Sequence, residues 1–190
     1  APTAPRLSTL APRGRYVVAI AASTGGPPAL AQVLSRLGDL DAPVLVVQHL
    51  HPDFVDGLVS WMARESGLPV RLAVDGAALA QGVVYIAGGG CHLRVGRDRR
   101  IMLDPEPMAL HRPSANELLA SVATNIGPDG IGVVLTGMGD DGAAGLLALR
   151  EAGGVTIAQD EATSAVYGMP RAAVRLGAAS EVCALEDIGD

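Results

Sequence analysis

The sequence predicts an α/β fold: a doubly wound, mostly parallel sheet with helices on both faces and one β-hairpin. Short apolar runs without polar alternation recur along the chain, which is how strands buried on both faces read. YVVAIA, APVLVVQ, IGVVLT and VTIAQ are each followed by a stretch at helical spacing, the order that builds parallel sheets. With 190 residues, 49% of them hydrophobic, the chain suits one domain that buries about 70% of the surface its unfolded form exposes.

The elements follow in order. Residues 1–14, APTAPRLSTLAPRG, carry three prolines and no apolar periodicity. They read as the remnant of a linker, ahead of one folded domain over 15–190. The chain starts without methionine and is expected to be cut from something longer. From Tyr16, YVVAIA is the first strand, and a helix runs from about Pro27 to Leu37. APVLVVQ is the second strand, followed by a helix from about Asp53 to Ser66. In that helix Phe54, Leu58 and Met62 recur at i+4 beside Val55 and Val59, predicting one packed face.

Short strands are expected at about 70–74 and 83–87, and HLRV faces RIMLD across Gly96-Arg97-Asp98 as a hairpin. Ser114-Ala-Asn-Glu117 has the form of a capping box, opening a helix to about Ile126. IGVVLT, a helix from about Gly142 to Ala152, VTIAQ, a helix from about Pro170 to Leu176, and SEVCAL complete the chain. There is no internal repeat.

All 14 basic residues are arginine, so lysine is absent. That removes Schiff-base enzymes, P-loop nucleotide sites and Ser-Lys hydrolases. A net charge of −6 with scattered arginines argues against a nucleic-acid partner. The cluster Arg94, Arg97, Arg99 and Arg100 falls on the hairpin and reads as a solvated turn. One Phe, one Trp and three Tyr leave little for base stacking. No apolar run reaches the roughly 18 residues of a membrane span, and the start lacks the pattern of a signal peptide. A cytoplasmic protein with no membrane insertion and two reduced thiols, Cys91 and Cys183, is expected.

In open parallel sheets ligands bind beyond the carboxyl ends of the strands. There, Ser23-Thr24-Gly25-Gly26 follows the first strand, His49 follows the second, and Gly137-Met138-Gly139-Asp140-Asp141-Gly142 follows IGVVLT. A hydroxyl, an imidazole and a carboxylate on one sheet edge are the inventory of a Ser-His-Asp triad. The order Ser, His, Asp and the lack of a G-x-S-x-G elbow set it apart from α/β-hydrolases. Glycines after Ser23 and the nearby helix start suit an oxyanion. Taken singly, each piece has a plainer reading, as a capped turn or a hydrogen-bonded histidine.

Two rivals share the place. Gly137-x-Gly139-x-x-Gly142 with Asp160 downstream has the outline of a dinucleotide fingerprint. Asp140 and Asp141, however, put negative charge where a pyrophosphate must sit. His49-x-His51 with His92, His111 and the acidic pair has the residue types of a metal site, but its spacing is unspecific.

Six collinear segments carry a family resemblance. They are Ala22-Ser-Thr-Gly-Gly-Pro-Pro-Ala-Leu30, Val47-Gln-His-Leu50, Val84-Tyr-Ile-Ala-Gly-Gly-Gly90, His111-Arg-Pro-Ser114, Leu135-Thr-Gly-Met-Gly-Asp-Asp-Gly-Ala-Ala-Gly145 and Tyr167-Gly-Met-Pro-Arg171. Together they resemble the CheB-type protein-glutamate methylesterases of bacterial chemotaxis, in their catalytic, C-terminal domain. The resemblance implies hydrolysis of glutamyl γ-methyl esters on the cytoplasmic helices of chemoreceptors, with release of methanol and deamidation of particular glutamines. It implies Ser23 as nucleophile, His49 as general base and acid, and Asp141 rather than Asp140 as the orienting carboxylate. Thr24 and Met138 match positions of the oxyanion pocket, Met138 through its backbone N–H, and His111 matches a further active-site position.

No cofactor and no metal are implied, and a phosphorylated receiver domain precedes this part in most members. Where the family usually has proline before paired glycines, this chain reads Ala87-Gly88-Gly89-Gly90. A metal-dependent hydrolase and a non-catalytic receptor-binding module are the alternatives on the same fold. The triad reading requires Ser23, His49 and Asp141 to lie within one hydrogen-bonded chain, with looser contacts allowed in a free enzyme.

Overall fold

The computed structural model describes residues 14–189. The linker expected over 1–14 lies outside the described residues except for Gly14. The chain forms β1 (Val17–Ala22), α1 (Gly26–Arg36), β2 (Val44–Gln48), α2 (Val55–Ser66), β3 (Val70–Leu72), β4 (Val84–Ile86), β5 (His92–Val95) and β6 (Ile101–Asp104). It continues with α3 (Ala115–Asn125), β7 (Gly130–Val134), α4 (Ala143–Glu151), β8 (Val155–Gln159), α5 (Met169–Arg175) and β9 (Glu181–Cys183). Every strand and helix read from the sequence is present.

Seven strands form one sheet in the order β3-β4-β2-β1-β7-β8-β9, and all neighbours are parallel. β5 and β6 form the antiparallel hairpin. Its connection is wider than expected: Gly96 and Arg100 close the loop, and Arg99 turns it at φ 56°.

Alternation along β1 shows the double winding. Val17, Ala19 and Ala21 face a core built with Leu118, Leu146 and Ala173 of α3, α4 and α5, and with the hairpin. Val18, Ile20 and Ala22 face the other core, with Leu30 and Leu34 of α1 and Leu58 and Met62 of α2. The chain leaves β1 toward β2 and leaves β7 toward β8, so the winding direction reverses between β1 and β7. Their carboxyl ends form the crevice that such reversals create.

Two local expectations need correction. Phe54 does not join the packed face of α2 and is 63% exposed. Residues Pro52–Phe54 enter the helix as a 3-10 turn, which breaks the i, i+4 spacing, and Val55 takes the buried position instead. The capping box at Ser114 is not formed. Ser114 makes no side-chain cap bond. Glu117 pairs with Arg94, which also holds Asp104 at 2.8 Å. In the hairpin cluster Arg99 is tied to the Gly14 and Arg15 carbonyls, while Arg97 is exposed and Arg100 pairs with Asp98 within the exposed turn. Among the described residues no helix is long and apolar enough to cross a membrane.

Candidate active site

β1 and β2 run side by side with Ala22 opposite Gln48, so the next residues, Ser23 and His49, leave adjacent strands at the same level. The ladder continues past the strand ends, since the His49 N–H donates to the Ala22 carbonyl at 3.0 Å and the Ser23 N–H to the Thr136 carbonyl at 3.0 Å. Strand alternation sends Ser23 and His49 toward the face that carries α3 and α4. Gln48 locks the pair from below: its Nε2 donates to the Ser23 carbonyl at 2.9 Å and to the His49 carbonyl at 3.0 Å. Gly137 backs onto Ser23 so closely that a Cβ there would stand 2.8 Å from the Ser23 Cβ. Only glycine fits at that point of the loop.

His49 and Asp141 are joined, Nε2 to Oδ2 at 2.8 Å, and both side chains are over nine-tenths buried. Asp141 precedes α4, but its carboxylate is bound at the start of α3. Oδ1 accepts from the Ser114 hydroxyl at 2.7 Å and the Asn116 N–H at 2.9 Å, and Oδ2 accepts from the Ala115 N–H at 2.7 Å. The carboxylate thus does the capping expected of Ser114, and Ser114 turns its hydroxyl to Asp141. Burial pushes the Asp141 carboxyl up, but the bonds from His49, the Asn116 and Ala115 amides and Ser114 together hold it down at about 2. It is therefore ionised at neutral pH and accepts the His49 Nε2–H. Asp140, one residue earlier, is exposed.

With Nε2 taken, Nδ1 is the remaining ring nitrogen of His49. It is buried and has no hydrogen-bond partner. The chain of bonds expected through Ser23, His49 and Asp141 is therefore present in its His49–Asp141 half, and Ser23 Oγ makes no hydrogen bond to His49. His111 lies flat on the His49 ring, with centroids 4.1 Å apart and planes 9° apart. Thr24 is exposed, and its carbonyl accepts from the Thr136 hydroxyl at 3.0 Å. Met138 has an exposed side chain. Its backbone N–H has no acceptor among the described residues.

The metal-site rival is not brought together. His92 is fully buried on the hairpin, with Nε2 donating to the Pro107 carbonyl at 2.8 Å and Nδ1 accepting from the Ser114 N–H at 3.1 Å. Neither nitrogen is left for a ligand. His51 is exposed and accepts from the Asp53 N–H. Among the described residues no group of three His, Cys, Asp or Glu side chains is placed to hold a metal ion.

Several residues that shape the site were not singled out from the sequence. Gln48 and Gln159 each end an apolar strand and are buried, and Gln159 Oε1 accepts from the Thr136 N–H at 2.8 Å. A lone glutamine closing an apolar run is the signal that marks both. The Thr136 hydroxyl accepts from the Val166 N–H at 2.9 Å, tying the loops after β1, β7 and β8 together. Asn116 Oδ1 accepts from the Gly142 and Gly145 amides at 2.9 Å. The partnership of Asn116 with residues far along the chain leaves no local trace.

A reversing parallel sheet with serine, histidine and a buried carboxylate at its reversal is a site suited to acyl transfer. The comparisons with known proteins agree. The family model described as CheB methylesterase matches residues 18–190, and the chain belongs to that family. It is 49% identical to protein-glutamate methylesterase/protein-glutamine glutaminase 2 of Cupriavidus metallidurans, over 98% of this chain and 53% of that protein. It is 50% identical to protein-glutamate methylesterase FrzG of Myxococcus xanthus, over 91% of this chain and 52% of that protein. The chain thus spans about half the length of the curated relatives it matches. The crystal structure of the Thermotoga maritima CheB methylesterase catalytic domain superposes with a TM-score of 0.87 at 35% identity. That match covers 92% of this chain and 95% of that one.

Proposed function

We propose that residues 15–190 form a methylesterase catalytic domain that hydrolyses glutamyl γ-methyl esters on chemoreceptors by a Ser23, His49, Asp141 triad. The observation that carries this reading is the His49 ring. An ionised, buried Asp141 occupies Nε2 and leaves Nδ1 buried and unbonded, on the residue that leaves β2 level with Ser23 at the end of β1. A base fixed in one tautomer, with its lone pair unspent, suits the removal of a serine proton.

Ser23 Oγ attacks the ester carbonyl carbon as its proton passes to His49 Nδ1. The resulting oxyanion is met by the Met138 N–H, with Thr24 lining the pocket. Collapse breaks the bond to the methoxy oxygen, which takes the proton from Nδ1 and leaves as methanol. Water then attacks the glutamyl-serine ester, giving its proton to Nδ1, and Ser23 recovers a proton as the glutamate departs. Throughout, Asp141 balances the charge of the imidazolium, and the stacked His111 holds the ring face in place. The same course with ammonia as leaving group deamidates glutamine, more slowly because an amide is the less reactive acyl donor.

The partners of the reading are the cytoplasmic helices of chemoreceptors and a receiver domain preceding this part of the protein, in the cytoplasm. The experiment is methanol release from methylated receptor membranes. Ser23→Ala should lower the rate by on the order of 10⁴ or more. Activity within tenfold of wild type would remove Ser23 from the mechanism, and loss on chelation with Ser23 dispensable would favour a metallohydrolase.

A further inference from the structure

Arginine is the only strongly basic side chain in this protein, and most described arginines are spent on internal partners. Arg15 pairs with Asp129, Arg94 with Asp104 and Glu117, and Arg100 with Asp98. Arg99, Arg112 and Arg150 donate to backbone carbonyls. Arg71, Arg97, Arg171 and Arg175 are exposed and form no ion pair or hydrogen bond with a described residue, and of these the two that line a common cleft are Arg171 and Arg175. They stand four residues apart on α5 and so share one face, where like charges mildly oppose the helix.

That face lines a cleft of about 540 Å³ together with Met138, Gly139 and Tyr167. Met138 and Gly139 directly follow Gly137, the residue packed against Ser23. The cleft therefore opens from the loop proposed to meet the oxyanion. Two unpaired guanidiniums beside an acyl-transfer site, in a chain of net charge −6, are placed to bind a negative group that accompanies the substrate.

We propose that the Arg171–Arg175 cleft binds a carboxylate of an aspartate or glutamate flanking the glutamyl ester on the same substrate segment. The inference rests on the esterase reading and deepens it. The ester itself is uncharged, so nothing in the triad distinguishes one glutamyl ester from another. A carboxylate gripped by guanidiniums does so, because the planar fork matches its two oxygens. It also offsets, at the point of contact, the repulsion between an acidic domain and an acidic segment.

Two synthetic peptides test this, each with one glutamyl γ-methyl ester, one flanked by glutamates and the other by glutamines. Methanol release gives kcat/KM for each. The wild-type chain should prefer the acidic peptide by about fivefold or more at low salt, and the preference should shrink at about 0.5 M salt. In Arg171→Gln/Arg175→Gln the ratio should fall to within twofold of one, while Arg171→Lys/Arg175→Lys, which keeps the charge, should retain part of it. Equal kcat/KM for both peptides in the wild type, or a preference that survives the glutamine substitutions, would overturn the proposal alone. Methanol from neither peptide would overturn the esterase reading and this proposal with it.

Discussion

Asp140 and Asp141 are neighbours with opposite environments. Asp141 is buried under four hydrogen bonds, and Asp140 is exposed. Asp141→Asn is expected to lower esterase activity by roughly 10³ to 10⁴, because the amide neither balances the imidazolium nor fixes its tautomer. Asp140→Asn should stay within a few-fold, and methanol release by the two variants checks both. Stability follows the same carboxylate. Its folded pKa of about 2 lies below the ordinary 3.8, so the unfolded chain binds the proton more tightly. The stabilisation is complete above about pH 4 and is lost as pH falls toward 2, amounting to about 2 kcal/mol. Urea melts between pH 5 and 2 should show this loss in wild type and its absence in Asp141→Asn. The placement of Ser23 and His49 at one sheet edge was legible because each directly follows an apolar strand. The choice between the two aspartates was not derivable from spacing, since it depends on the start of a helix some 25 residues earlier in the chain.

Helices α3 and α4 cap one another. Asp141, just ahead of α4, satisfies the first amides of α3, and Asn116, in the first turn of α3, satisfies the Gly142 and Gly145 amides. A local reading finds S-x-x-E at Ser114 and predicts a self-contained cap. Tertiary structure overrides it, because an ionised carboxylate at a helix N-terminus is a stronger acceptor than a serine hydroxyl. The exchange requires close approach of the two helices, and Gly145 provides it: a Cβ there would lie 2.7 Å from the Asn116 carbonyl oxygen and 2.8 Å from the Leu119 Cβ. Gly145→Ala should destabilise the fold by about 1–3 kcal/mol in urea melts. It should also lower activity, as α3 is pushed from Asp141. Asn116→Ala should cost about 1 kcal/mol through the lost cap alone, and a neutral result there would break the link between the two helix starts.

At the scale of the molecule, the parallel sheet dictates where chemistry can occur. Strand runs, helix faces and the hairpin were readable because period and burial agree along most of the chain. Phe54 escaped because a 3-10 turn interrupted the helix period. The strand order was not readable from any one segment, yet it brings the ends of β1, β2 and β7 together and reverses between β1 and β7. That reversal turns three loops, far apart in sequence, into one site. The proposed mechanism requires Ser23 to carry the acyl group between the two half-reactions. Rapid acid quench of the chain during turnover of a glutamyl γ-methyl ester peptide, followed by mass spectrometry, tests it directly. An adduct of the peptide minus methanol is expected on the fragment containing Ser23, absent in Ser23→Ala and much reduced in His49→Gln. Undiminished turnover by Ser23→Ala, or an adduct on another residue, would contradict the mechanism.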